Sequence, residues 1–64
     1  MIMTAKEIID LITKDGWYYT EQKGSHRQYE HATKKGKVTV PMHKKSQDLK
    51  HQTVTSILKQ AGLK

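Results

Sequence analysis

Lys23, Gly24, Ser25, His26 and Arg27 stand in one run, which sets an imidazole between two cations and beside a hydroxyl. Such a set suits chemistry on a phosphodiester. Breaking a ribonucleotide chain needs a base for the 2′-hydroxyl proton, an acid for the departing 5′-oxygen, and positive charge where the phosphate gains negative charge. Imidazole exchanges a proton near neutral pH, so it can serve either step. Gly24 adds a stretch of backbone that a ligand can approach closely. The same residues also fit a plainer role, an exposed basic turn that touches nucleic acid without cutting it. The run by itself leaves both open.

The other candidates are weaker. His31, His43 and His51 are scattered, with no i/i+4 pair and no carboxylate at a ligand spacing. A zinc site would need three or four convergent ligands, so neither a metal nor a cofactor is expected. These three read as surface histidines, His43 alone having cationic neighbours in Lys44 and Lys45 that suit a phosphate. Lys44 and Lys45 are candidate RNA contacts, whereas Lys34, Lys35 and Lys37 fit a phosphate contact or a solvated turn. With no cysteine, disulfides, thiolate metal sites and cysteine nucleophiles are excluded.

Charge points the same way as the central run. Twelve Lys/Arg against six Asp/Glu give a formal net charge of +6. The excess lies after Glu21: Met1 to Glu21 holds two lysines and four acids, the remainder ten basic residues and only Glu30 and Asp48 as acids. A small domain with that imbalance has a basic side that steers toward phosphates or an acidic protein. No apolar run is long enough for a membrane span or a signal-peptide core, so a cytoplasmic protein without membrane contact is expected. Sixty-four residues allow one domain, 1–64, burying about 60% of the surface its unfolded chain exposes.

Elements that could position these residues are legible along the chain. Thr4 and Glu7 form a capping box, after which Ala5, Ile8, Ile9 and Ile12 fall at helical spacing, with Leu11 widening the stripe. Lys14 and Gly16 suit the helix end, so residues 4–15 read as an amphipathic helix. Trp17 to Lys23, His26 to His31 and Lys37 to Pro41 read as three antiparallel strands, joined at Gly24-Ser25 and at Thr33 to Gly36. Pro41 ends the third or puts it on an edge. His43 to Lys50 is polar and aperiodic, a loop, and Val54, Ile57, Leu58 and Ala61 mark a second helix stopping at Gly62. The α-β-β-β-α order predicts an α+β fold, a three-stranded antiparallel sheet covered on one face by two helices. It is the topology of the double-stranded-RNA-binding domain.

Alternation assigns faces. Tyr29 belongs to the core, with Arg27 and His31 on its side or at its margins, so His26, Gln28 and Glu30 look outward. Val38 and Val40 face the helices and Thr39 faces out. Trp17 and Tyr19 share the core side, leaving Tyr18 outward as the candidate for base stacking, and a single bulge would reverse the rest of that strand.

Four blocks carry a resemblance to the HicA family. Gln22 to Tyr29 contains Gly24-Ser25-His26 with an aromatic three residues after the histidine; Asp15-Gly16-Trp17 precedes it; Lys37 to Pro41 is followed by His43; and Thr53 to Gly62 closes the chain. Together they cover nearly the whole sequence in order. The resemblance implies a toxin of a type II toxin-antitoxin pair that cleaves mRNA independently of the ribosome, as an endoribonuclease with a single catalytic histidine, here His26. It implies a HicB-like antitoxin as partner, which binds the toxin and can bind operator DNA. Direct DNA binding by this chain is not expected outside that complex. Two departures are His31-Ala32-Thr33, where many relatives carry proline, and Ser46-Gln47-Asp48, which varies the segment before the second helix.

The leading expectation is thus a metal-independent ribonuclease in which His26 acts as base or acid, Lys23 and Arg27 stabilise phosphate, and Ser25 shapes the site. No second acid/base group stands out. A noncatalytic double-stranded-RNA-binding module shares the fold and needs no histidine at position 26. An interaction subunit would use the basic side only for an acidic protein.

Overall fold

The computed structural model describes residues 3–44 and 46–64. Its elements are β1 (Met3–Thr4), α1 (Ala5–Lys14), β2 (Trp17–Lys23), β3 (His26–His31), β4 (Val38–Pro41), β5 (Asp48–Leu49) and α2 (His51–Gln60). The predicted α+β arrangement holds: β2, β3 and β4 form an antiparallel sheet in that order, flanked in sequence by the two helices.

Local chemistry explains α1. Thr4 Oγ1 accepts from the Glu7 amide at 3.1 Å, and the Glu7 carboxylate takes the Thr4 amide at 2.8 Å. Two of the amides that a helix start leaves without partners are thereby bonded. Ala5, Ile8 and Ile12 are buried, whereas Leu11 is 40% exposed, so the apolar stripe is narrower than the sequence suggests. By contrast, α2 has Lys50 at its N-cap with no side-chain bond there, and it depends on burying Val54, Ile57 and Leu58. Its far end closes tightly: the Leu63 amide returns to the Leu58 carbonyl at 2.8 Å and the Gly62 amide to Lys59 at 3.1 Å.

The core is one cluster. Ile8 and Ile12 of α1 and Val54, Ile57 and Leu58 of α2 pack with Trp17, Tyr29, Val38 and Val40 of the sheet. Parity therefore holds on β3 and β4, with Tyr29, Val38 and Val40 inward. The β4 strand is an edge, as Pro41 indicated. The Thr39 amide on that edge donates to Gln60 Oε1 at 3.0 Å, and Pro41 has no amide to offer, so the edge is closed to further pairing.

One expectation is corrected. The segment read as a loop before α2 contains β5, which pairs antiparallel with β1 through Met3↔Leu49 and Thr4↔Asp48. Leu49 is 3% exposed and joins the core. Two-residue strands have no period to read, and a lone leucine among polar residues gives no local signal. The Ala5 amide extends the pairing to the Gln47 carbonyl at 2.9 Å. Among the described residues no helix is long and apolar enough to cross a membrane.

Candidate active site

Gly24 starts the turn that delivers His26. Lys23 pairs with His26 across a two-residue connection, and Gly24, first of the two, has φ +59. Glycine adopts that left-handed conformation without strain, which suits it to this hairpin position. A Cβ on Gly24 would meet nothing within 4 Å, so the space above the turn is open. The Ser25 carbonyl accepts from the Met42 amide at 2.6 Å, tying the turn to the exit of β4.

Register decides which side chains share a face. On β2 the pairing shifts between Tyr19 and Glu21, a bulge at Thr20. Strict alternation from buried Trp17 would send Glu21 and Lys23 to the helix side. The extra residue reverses them. Glu21 then pairs with Gln28 and Lys23 with His26, and on the far side of β3 Gln28 meets Thr39 and His26 meets Pro41. The contacts agree: Thr39 Oγ1 donates to Gln28 Oε1 at 2.9 Å, and Lys23 Nζ lies 3.8 Å from Glu21 Oε1. The open face thus carries Lys23, His26 and Pro41 in one row and Glu21, Gln28 and Thr39 in the next. His26 is exposed on the central strand, and its ring has no hydrogen-bond partner among the described residues.

Arg27 goes elsewhere. It pairs with Gln22 and Val40 on the helix side of the sheet. Its Nε donates to Gln22 Oε1 at 3.1 Å, and its guanidinium lies 5.1 Å from the centre of the Tyr19 ring, a cation–π distance. Tyr19 in turn meets Tyr29 edge-on at 6.1 Å. The structure brings Lys23, Gly24, Ser25 and His26 together but puts Arg27 behind them. Lys44 is exposed just beyond β4, its carbonyl accepting from the Gln47 amide at 3.1 Å, while the Gln47 side chain takes the His43 amide at 2.8 Å. Lys45, the other lysine expected to contact phosphate, lies outside the described residues. Glu21 and Gln28 were not among the expected site residues; a bulge leaves no mark in composition, so nothing flagged Glu21.

The opposite end of β3 corrects two readings. His31 is half-buried rather than a free surface histidine: Nε2 is 2.7 Å from the Asp15 carbonyl, and Nδ1 accepts from the amides of Thr33 and Lys34 at 3.0 and 3.1 Å. Amides only donate and carbonyls only accept, so the ring proton sits on Nε2. Its ring and that of Trp17 form a T-shaped pair with centroids 5.2 Å apart. Lys34 is tied into the fold rather than loose in a solvated turn or free for phosphate: Nζ lies 2.5 Å from Asp15 Oδ2 and 3.0 Å from the Ala61 carbonyl. The hydrogen bond from Lys34, aided by its charge, holds the Asp15 carboxyl below its usual range against partial desolvation. These partners lie 16 to 27 residues from one another in the chain, so local pattern could not announce them.

A groove of about 560 Å³ runs along α1, lined by Met3, Glu7, Asp10, Leu11, Thr13 and Lys14, and a smaller one of about 300 Å³ lies between Thr39 and Pro41 of β4 and Gln52, Ser56 and Gln60 of α2. No three His, Asp or Glu side chains converge to hold a metal among the described residues. Glu21, Lys23 and His26 stand exposed on the open face, where a polymer can reach them.

Comparison with known proteins agrees with this architecture. The family model described as HicA toxin of bacterial toxin-antitoxin matches residues 5–63. A chain of the solved "Toxin-Antitoxin complex from Streptococcus pneumoniae" is similar at 37% identity and TM-score 0.77, covering 95% of this chain and 98% of that one. No curated protein matches the sequence. The chain belongs to the HicA toxin family of bacterial toxin-antitoxin systems.

Proposed function

We propose that the protein is the toxin of a type II pair and acts as a ribosome-independent endoribonuclease on mRNA, with His26 as its catalytic residue. The observation that carries this reading is the placement of His26: exposed, unbonded among the described residues, on the central strand of the open face, with Lys23 directly across. An imidazole there meets a phosphodiester laid on the sheet, and Lys23 supplies charge for the phosphate. Gly24 leaves room above the turn, Ser25 fixes its backbone, and Lys44 extends the cationic border, with Lys45 beside it in sequence as a further proposed phosphate contact. Arg27, held on the other side, steadies Tyr19 and contributes to long-range attraction rather than to the reacting phosphate.

The reaction draws on side-chain proton transfer and needs no added metal. Incubating the purified protein with RNA in EDTA tests this, with His26→Ala alongside. Cleavage in EDTA by the wild type and none by the variant is expected. Cleavage lost on chelation overturns the metal-independent step, and a variant that cuts at wild-type rate overturns His26. A noncatalytic RNA-binding module would instead bind duplex RNA in a salt-sensitive way, never cut it, and tolerate His26→Gln.

The proposed partner is an antitoxin. The Streptococcus pneumoniae chain comes from a toxin-antitoxin complex, and a HicB-like antitoxin is the corresponding partner here. An antitoxin laid over the open face would deny RNA its approach to His26. Co-expression with a short neighbouring gene product should yield a complex that no longer cuts RNA.

A further inference from the structure

A single histidine leaves the reaction one group short. Transfer at phosphorus has its attacking and leaving oxygens roughly in line. The group that takes the 2′-hydroxyl proton and the group that protonates the 5′-oxygen must therefore stand on opposite sides of the phosphate, apart from each other. Among the described residues of β2, β3 and β4, the carboxylate nearest His26 on the open face is that of Glu21. Glu21, turned outward by the Thr20 bulge, lies one row along from the Lys23–His26 pair. It is thus diagonal to His26, a relation that sets the two residues about 7–8 Å apart, their Cβ atoms somewhat less, within reach of long side chains. That gap admits a phosphate.

The neighbours leave the Glu21 carboxylate available. Gln28, directly across from it, is turned to Thr39 by the 2.9 Å hydrogen bond. Lys23 Nζ, 3.8 Å away, is the one polar partner of Glu21 among the described residues, and the Glu21 side chain is 50% exposed. The remaining charged or titratable groups of this face on β2 and β3 are Tyr18 and Glu30, which pair with each other three residues before Glu21 and two after Gln28. The β4 strand brings Thr39 and Pro41, and the exposed His43 and Lys44 follow it.

We infer that Glu21 is the second acid/base group of the site. This rests on the ribonuclease reading above. In this reading Glu21 is the base and His26 the acid. Glu21 takes the 2′-hydroxyl proton as the 2′-oxygen bonds to phosphorus. The bond from phosphorus to the 5′-oxygen breaks, and that oxygen takes its proton from His26. The products are a 2′,3′-cyclic phosphate and a 5′-hydroxyl, with one proton moved from Glu21 to be returned to His26 through solvent. Lys23, opposite His26 and 3.8 Å from the Glu21 carboxylate, supplies charge for the phosphate.

The test is the pH dependence of RNA cleavage by the wild type, Glu21→Gln, Glu21→Asp and Lys23→Gln, with product ends read by phosphorus NMR. The wild type should show a bell-shaped profile and cyclic phosphate ends. Glu21→Gln should lose about 10²-fold or more in rate together with the acidic limb, and Glu21→Asp should restore part of the rate with the limb. Lys23→Gln breaks the same ion pair and should slow the reaction with both limbs kept. A Glu21→Gln protein that cuts within twofold of wild type with an unchanged profile overturns the inference, as do products without a cyclic phosphate stage. Neither result touches His26, whose failure would show instead as cleavage by His26→Ala.

Discussion

The β3 strand begins and ends in histidine, and its two ends are built on opposite plans. At the His26 end the turn is open, the ring is exposed, and the cations around it are held loosely, Lys23 at 75% side-chain exposure. At the His31 end the ring is half-buried, both nitrogens are engaged, and Lys34 is clamped between Asp15 and the α2 terminus. The closed end bonds its polar groups into the frame; the open end leaves them exposed. Residue type does not separate the two histidines. What separates them is whether the fold brings partners.

The largest effect that would break this contrast is on His26. His26→Ala should reduce RNA cleavage by about 10²-fold or more and leave the unfolding midpoint in urea unmoved. His31→Ala should do the reverse. It strips a donor from the Asp15 carbonyl and an acceptor from two amides, a loss of about 1–3 kcal/mol, while the folded fraction still cuts RNA. Inactive but fully folded His31→Ala would dissolve the distinction.

The two turn glycines sharpen it. Gly16, at φ +108, would place a Cβ 2.7 Å from His31 Nε2, whereas Gly24, at φ +59, would meet nothing within 4 Å. Gly16→Ala adds a clash with a fixed ring to backbone strain and should cost about 2–3 kcal/mol. Gly24→Ala carries the strain alone, about 1 kcal/mol, and urea melts of the two variants should rank them in that order.

Acid should act through the closed end. Because the Asp15 carboxyl is held below its usual range by Lys34, its contribution is fully present above the unfolded value, about 3.9. It is lost as pH falls through the lower folded value. Asp15→Asn should lower stability at neutral pH and flatten its decline below about pH 4, read by urea melts across that range. The smallest effect separates two lysines: Lys44→Gln should reduce the salt slope of RNA binding by about 1, and Lys34→Gln should lower stability with that slope unchanged.

Much of the fold was legible. The Thr4–Glu7 box, the Ile8 and Ile12 spacing, the Gly24-Ser25 turn and the Val38, Val40 alternation are signals confined to a few neighbouring residues, and each matches its element. The Met3–Leu49 pairing was not legible, since two residues show no period. The site was half legible. His26, Lys23, Gly24 and Ser25 stand together in sequence and in space. Arg27 stands beside them in sequence alone, because adjacent strand residues point to opposite faces.

The sequence by itself determined the order of elements, the basic balance and the outward histidine, because backbone conformation and side-chain alternation follow from near neighbours. The tertiary structure decided the membership of the open face and the fate of the second histidine. One bulged residue at Thr20 turned Lys23 and Glu21 toward His26, and contacts with Asp15 and the end of α2 drew His31 and Lys34 into the frame. Both depend on register between strands and on partners distant in the chain, which no local pattern encodes.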